Sequence, residues 1–199
     1  GDIGSFSVVN TSTSAQLATI TVTPTYINNG VICSGNSEQF IITVNPSAQV
    51  NDITNYNTIL CDGEFTPVYS FTTANTDGLT SFNWTNDNVA VGLAASGEGG
   101  IPSFQVTNST QSTISAIITV TPSYENNGII CDGNSETFTI GVNPSPEVDN
   151  VDNIVLCNNE ISTIIEFTTP NTDGNTTYTW TNDNTSIGLS SSGNGDIPS

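Results

Sequence analysis

The sequence predicts an all-β fold that is built from tandem β-sandwiches, and two observations lead to this prediction. The apolar residues, 35% of the chain, are mostly β-branched or aromatic, and the polar residues are mostly Asn, Thr, Ser, Gly and Asp. These are the residue types of short strands and turns. The sequence also repeats itself after about 98 positions, which is close to the length of one sandwich domain. No helix longer than a single turn is expected.

The charge of the chain restricts its chemistry. Nineteen Asp and Glu residues stand against no Lys, Arg or His, so the formal net charge at pH 7 is −19. Nucleic acids and anionic membranes are bound through Lys and Arg, and neither is expected as a partner. General acid–base catalysis usually uses His or Lys, and phosphoryl transfer needs a cation. We therefore predict a protein that is not an enzyme.

An internal repeat organises the whole chain. One block of residues recurs 98 positions later, and a second block recurs 96 positions later. The first block comprises Phe6, Pro24, Tyr26, Cys33, Asn36, Phe40 and Pro46, which return as Phe104, Pro122, Tyr124, Cys131, Asn134, Phe138 and Pro144. The second block comprises Cys61, Phe71, Asp77, Gly78, Trp84, Gly92, Leu93 and Gly97, which return as Cys157, Phe167, Asp173, Gly174, Trp180, Gly188, Leu189 and Gly193. The offset changes because residues 51–60 are two longer than residues 149–156, which indicates a surface connection there.

Prolines mark where one domain ends and the next begins. Val-Asn-Pro-Ser stands at 44–47 and again at 142–145, and proline typically lies at strand ends and in linkers because it cannot donate to a ladder. The predicted domains are the C-terminal part of one repeat at 1–46, a complete repeat at 47–145 and the N-terminal part of the next repeat at 146–199. Ser199 is equivalent to Ser103, so the chain is expected to be a window on a longer array.

Short strand signals alternate with turns inside the complete repeat. The expected strands are 50–60, 67–73, 81–85, 89–93, 103–107, 113–121 and 136–142. Trp84 alternates with Phe82 on the third of them, where immunoglobulin-like sandwiches bury a core tryptophan. A surface platform for sugar rings is the alternative for Trp84, and burial is the favoured interpretation. Seven strands in about 98 residues is also an immunoglobulin-like count.

Several motifs recur with their order and spacing kept. They are Trp-Thr-Asn-Asp-Asn with the following Gly-Leu and Ile-Pro-Ser at 84–103 and 180–199, Ile-Thr-Val-Thr-Pro at 20–24 and 118–122, and Val-Asn-Pro at 44–46 and 142–144. Together these motifs resemble the PKD-like, immunoglobulin-like repeats of giant Bacteroidota surface adhesins, among them the SprB-type adhesins of gliding flavobacteria. The resemblance covers essentially the whole chain.

The resemblance implies an extracellular, cell-surface fibre of tandem repeats that is exported by the type IX system. Its role would be structural and adhesive, in surface attachment or gliding motility, and its partners would be neighbouring repeats and an unidentified glycan or protein ligand. Two alternatives stay open. One is a module that binds glycans or proteins multivalently, and the other is a filament in which separate subunits exchange strands. No run of about 20 apolar residues predicts membrane insertion, and an export signal is expected outside this sequence.

Four cysteines lie in similar turns, at Cys33, Cys61, Cys131 and Cys157. Zinc is a poor interpretation because neither Cys-x-x-Cys pairs nor histidines are present. Outside the cell, disulfides are expected instead. Only Cys61 and Cys131 fall within the complete repeat, so we predict a bridge between them and partners outside this sequence for the other two. A bridge between neighbouring domains is the alternative.

Acidic turns supply oxygen ligands of the kind that calcium binds. The candidates are Asp77, Asp87, Asp149 and Asp152. None of them has the spacing of an EF-hand loop, and the favoured interpretation is that Asp and Asn side chains cap turns. Calcium at the domain junctions is the alternative, and no other cofactor is expected.

Overall fold

The structure, a computed structural model, describes residues 2–199 and consists of strands and loops. The strands are β1 (Gln16–Val22), β2 (Thr25–Asn28), β3 (Val31–Ser34), β4 (Glu38–Val44), β5 (Thr58–Cys61), β6 (Leu79–Asn86), β7 (Ser96–Glu98), β8 (Ile114–Asn126), β9 (Ile129–Asp132), β10 (Glu136–Asn143), β11 (Thr179–Thr181) and β12 (Ser192–Asn194). Helical structure in the described residues is limited to three single 3-10 turns at Thr54–Tyr56, Val89–Val91 and Thr185–Ile187. The all-β prediction is confirmed.

The central part of the chain forms one sheet with strand order β5-β10-β8-β6-β7. Strand β8 is 13 residues long; its first half pairs with β10, and its last four residues pair with β9. β5 and β10 are parallel, and Asn143 lies opposite Cys61. The other pairings are antiparallel. β8 therefore sets the length of this part of the molecule.

A second layer covers one face of this sheet. It consists of residues 63–73 and 99–107, whose backbones exchange hydrogen bonds although only isolated bridges form between them. Tyr69 and Ile101 bond each other's backbones in both directions, at 2.9 and 2.8 Å. The buried core between the layers comprises Ile53, Tyr69, Trp84, Val91, Leu93, Ile101, Val106, Ala116, Ile118, Val120, Phe138, Ile140 and Val142. Alternate residues of β8 and β10 supply nearly half of this core, as expected for a strand with one face covered.

Four of the seven predicted strands have a different structure. Residues 67–73 and 103–107 contain only the isolated bridges of Tyr69 and Gln105. Residues 89–93 are not a strand but contain the 3-10 turn Val89–Val91. The Asn88 side chain accepts a hydrogen bond from Ala90 N, and Gly92 ends the turn at a φ of 95°. This local capping outweighs the apolar pattern because a left-handed glycine cannot continue a strand. The first predicted strand, 50–60, is likewise shortened to β5 by the 3-10 turn before it.

Trp84 is buried, as its alternation with Phe82 predicts, with 6% of its surface exposed. Its indole ring packs against Gly97 of the neighbouring strand β7, where an added Cβ would overlap the ring. Trp180 and Gly193 repeat this contact. The glycine is required here because any side chain would occupy the space of the indole.

The segments on either side of this core are open on one face. In residues 2–46, β1 pairs with β4 and β2 with β3, and in residues 146–199, β11 pairs with β12. Large apolar side chains of these segments are exposed, among them Tyr26 at 66% and Ile187 at 69%. None of the described helical turns is long and apolar enough to cross a membrane.

Substituting Gly97→Ala should destabilise the chain because the new methyl group must displace the Trp84 ring. We expect a loss of about 1–3 kcal/mol in the free energy of unfolding, the usual cost of overpacking. The neighbouring Ser96→Ala is the control, since Ser96 is exposed and surface changes usually stay within about 0.5 kcal/mol. Chemical denaturation of the full chain measures both variants. Equal stabilities would contradict the packing described here.

Candidate functional site at the repeated junctions

The feature that recurs most completely in the structure is a set of contacts where adjacent segments meet. The first junction comprises residues 10–15, 44–49 and 73–78, and the second comprises 108–113, 142–147 and 169–174. The two sets correspond by the offsets of 98 and 96 that relate the repeats. In each junction a proline-containing linker contacts two loops. One loop precedes the linker in the sequence and the other follows it.

Asn75 is the centre of the first junction. Its Oδ1 accepts hydrogen bonds from Gln49 N at 2.8 Å and from Thr73 Oγ1 at 2.9 Å. Its Nδ2 donates to the Ser47 carbonyl at 3.0 Å and to the Thr13 carbonyl at 3.4 Å. One amide side chain thereby connects the linker, its own loop and the preceding segment, using both its donor and its acceptor atoms.

A backbone hydrogen bond completes this contact. Thr76 N donates to the carbonyl oxygen of Thr13 at 2.9 Å. On the other side of the linker, Asn45 and Asn126 bond reciprocally, since each Nδ2 donates to an oxygen of the other residue at 3.2 and 3.0 Å. The preceding segment is therefore held at two separate points.

The second junction repeats this arrangement around Asn171. Its Oδ1 accepts from Glu147 N and from Thr169 Oγ1, both at 2.9 Å. Its Nδ2 donates to the Ser145 carbonyl at 3.1 Å and to Oε1 of Gln111 at 3.4 Å. The backbone bond also returns, from the N–H that follows Asn171 to the Gln111 carbonyl at 2.9 Å. The two junctions differ in one acceptor, because Gln111 replaces Thr13 and offers its side-chain Oε1 to Asn171 where Thr13 offers its backbone carbonyl to Asn75.

A second pair of asparagines shapes the loops that supply these carbonyl oxygens. Asn108 Nδ2 donates to the Ser112 and Val142 carbonyls, both at 2.8 Å, and its Oδ1 accepts from Thr110 N at 2.9 Å. Asn10 makes the equivalent bonds 98 positions earlier. Because Asn108 is buried, these bonds are needed to satisfy its amide. Each such asparagine fixes the loop in the shape that the junction requires.

Burial reinforces the first junction. Pro46 is fully buried in the linker, and Tyr124 is fully buried with its hydroxyl donating to the Thr76 carbonyl at 2.9 Å. Burial raises the pKa of Tyr124, and the negative charge of Asp77 raises this pKa further. Close packing extends to Gly133, where an added Cβ would overlap the Ala48 carbonyl oxygen. The linker is thus packed against its neighbours and is not an open tether.

The cysteines are not brought together. All four thiols are unbonded in the structure. Cys61 lies opposite Asn143 at the end of the unit near the second junction, whereas Cys131 lies opposite Tyr124 near the first. These positions are separated by most of β8, on the order of 35 Å at 3.3 Å per residue, and a disulfide needs Cα atoms within about 7 Å. The predicted bridge between Cys61 and Cys131 is therefore absent, because the two turns lie at opposite ends.

The aspartates proposed as calcium ligands are also dispersed. Asp87 accepts a hydrogen bond from Ile117 N at 2.7 Å, and Asp149 accepts one from Thr168 Oγ1 at 2.6 Å. Asp77 lies at the first junction and Asp152 in the C-terminal segment. Within residues 2–199, no three His, Cys, Asp or Glu side chains are grouped closely enough to hold a metal ion.

Sequence reasoning did not assign the asparagines at the junctions a role in joining segments. Asn75 and Asn171, like Asn10 and Asn108, are ordinary members of an asparagine-rich sequence. Their recurrence at the repeat offsets was the available signal. It does not by itself distinguish a junction residue from one that caps a turn within a single repeat.

Comparison of the chain with protein-family models, with curated proteins and with solved structures gives no match.

Removing the Asn75 side chain should loosen the first junction. In Asn75→Ala, we expect the Thr76 amide to exchange with solvent about ten to a hundred times faster, because hydrogen bonds contribute roughly 1 kcal/mol each and exchange reports local opening. Asn83→Ala is the matched control, since Asn83 is exposed. Amide exchange of the full chain followed by NMR measures both. Unchanged protection at Thr76 would contradict the role assigned to Asn75.

Proposed function

We propose that this chain is a non-catalytic, structural and adhesive region of a long extracellular fibre made of tandem immunoglobulin-like units. The observation that carries the proposal is the recurrence of one hydrogen-bonded junction, around Asn75 and again around Asn171. A binding or catalytic domain needs no such repetition. A fibre of tandem units does need it, because each unit must contact the next unit in the same way along the whole length.

The arrangement of the central part supports the immunoglobulin-like unit. Two β layers enclose a single core, the tryptophan of β6 is buried within it, and all members of the core cluster lie between Ile53 and Val142. That span lies inside the proposed repeat at 47–145. Counting the irregular segments of the second layer with β5, β6, β7, β8 and β10 gives about seven strands, as in such sandwiches.

The position of the junctions supports a linear fibre. The first junction lies near Asn126 at one end of β8, and the second lies near Thr113 at the other end. Each unit would therefore advance the chain by about the length of β8 with its loops, roughly 40 Å. Neighbours placed at opposite ends extend the chain and leave the sides of each unit free for contact with other molecules.

The charge and the recurrent motifs support an adhesive role outside the cell. A surface with nineteen carboxylates and no side-chain cation repels other copies laid alongside it. Exposed strand edges are thereby protected from sideways association. Weak contacts repeated along such a fibre add up through multivalency without a deep binding pocket. The motif resemblance to surface adhesin repeats suggests attachment or gliding motility as the setting.

A rod-like shape is the first expected consequence. A chain roughly 100 Å long, formed by units of about 40 Å, should have a radius of gyration near 30 Å, whereas a compact protein of this length has one of about 16 Å. Small-angle X-ray scattering extrapolated to zero concentration measures this value. A radius near that of a compact protein, with the circular dichroism of a folded chain, would exclude the fibre arrangement.

Adhesion itself is tested by display on beads. Beads that carry the chain at increasing density should be retained on glass or on glycan-coated surfaces, with retention rising steeply with density because each contact is weak. A polypeptide of the same composition in scrambled order is the control, since it has the same charge without the fold. Retention no greater than that of the scrambled control on every surface would refute the adhesive role.

A further inference from the structure

The two cysteines of the central unit, residues 47–145, lie at its opposite ends, and each faces a different neighbour. Cys61 is the last residue of β5, and the next residue, Asp62, accepts a hydrogen bond from Oγ of Ser145 in the linker at 3.0 Å. Cys61 therefore lies beside the linker that leads to the following segment. Cys131 lies in β9, close to the first junction and to the preceding segment.

The first junction shows what the preceding segment places beside Cys131. Asn45 bonds reciprocally with Asn126, at 3.2 and 3.0 Å, and both asparagines line one cavity together with Cys131. Asn45 is the counterpart of Asn143 at the repeat offset of 98. The residue that approaches Cys131 from the preceding segment therefore corresponds to the residue that lies opposite Cys61 in the central unit.

These two relations bring a second cysteine to the cavity. Opposite residues of paired strands point to the same face of a sheet and lie about 5 Å apart. In the central unit, Cys61 and Asn143 occupy the outward face, because the residues before them in both strands pack into the core. A counterpart of Cys61 in the unit before the central one would lie opposite Asn45 on this face, next to the cavity that Cys131 lines.

We propose that, in a continuous array, Cys61 of each unit forms a disulfide bond with the counterpart of Cys131 in the unit that follows. The inference rests on the proposed function, because it needs a neighbouring unit at both ends. It assigns one cysteine from each side to every junction, and it gives Cys157 and Cys33 the same two roles in their own units. The recurrence of all four cysteines is thereby explained, although Cys61 and Cys131 are far apart within one unit.

The bond forms by oxidation of two accessible thiols. Cys61 is exposed and Cys131 is half-buried, so both can meet a disulfide oxidant such as oxidised glutathione, which an extracellular setting favours. The two thiols give up two electrons and two protons as their sulfur atoms bond, and the glutathione disulfide is reduced to two thiol molecules. The junction, otherwise held by hydrogen bonds and packing, thereby gains a covalent link besides the backbone.

The chain of 199 residues supplies the first test, because it holds Cys61 and Cys131 in one unit. After incubation with oxidised glutathione, digestion of the monomer after Asp and Glu should release peptides 53–62 and 126–132 separately. Mass spectrometry measures whether the two peptides are joined. A Cys61–Cys131 link within the monomer would overturn the proposal, since a thiol that is paired inside its own unit cannot bond to a neighbour.

An extended chain supplies the second test. Residues 104–145 are added after Ser199, which is equivalent to Ser103, so the third unit is completed in phase. In version A, the original cysteine is replaced, Cys131→Ser, and the added copy keeps its cysteine. Version B has the serine in the added copy and keeps the original Cys131. The two versions have the same composition, and each is matched control for the other. Far-UV circular dichroism verifies that both are folded.

After oxidation, we expect peptide 53–62 to be joined to peptide 126–132 in version A at a yield roughly tenfold that in version B, because a disulfide needs Cα atoms within about 7 Å. The reverse ratio, or a Cys61 thiol that stays free in both folded versions, would refute the bridge between units. X-ray scattering of version A distinguishes this failure from that of the fibre. An elongated particle with a free Cys61 refutes the bridge alone, whereas a compact particle with a free Cys61 refutes the fibre arrangement as well.

Discussion

The lack of any side-chain cation is the constraint on which the rest of this structure depends. Nineteen carboxylates have no Lys, Arg or His to pair with, so polar contacts between segments are made without side-chain ion pairs, and many of them join neutral groups. Asparagine is suited to this because its amide donates and accepts at once. Asn75 and Asn171 use both functions at the junctions, and Asn108 uses them inside its loop. Such contacts are less sensitive to salt and pH than ion pairs would be.

Because side-chain ion pairs are absent, the stability of the fold depends mainly on the packing of apolar side chains. The core of the central unit closes only when two halves meet, one from the N-terminal part of the repeat and one from its C-terminal part. Each half keeps local structure without the other, as the β1–β4 ladder and the Ile165–Ile197 bridge illustrate. The apolar area that would offset chain entropy is covered only in the complete unit.

Much of the fold was predictable because the repeat reveals which positions are equivalent. The burial of Trp84 and the strands β8 and β10 follow from period-two alternation. The 3-10 turn at Val89–Val91 was missed because a side-chain cap and one left-handed glycine decide it, and neither changes the apolar pattern. The separation of the cysteines depends on the parallel register of β5 with β10. Pairing between strands distant in sequence is not encoded in local periodicity.

The parallel pairing of β5 with β10 affects how the central unit responds to a pulling force. β5 lies near the start of the central unit and β10 at its end, and both run toward the second junction. Tension applied through residues 47 and 145 draws the two strands past each other along their length. The hydrogen bonds that join Thr58–Cys61 to Ile140–Asn143 are then strained together in shear, instead of being peeled apart singly. A unit with this geometry resists being pulled open at the two places where the chain enters and leaves it.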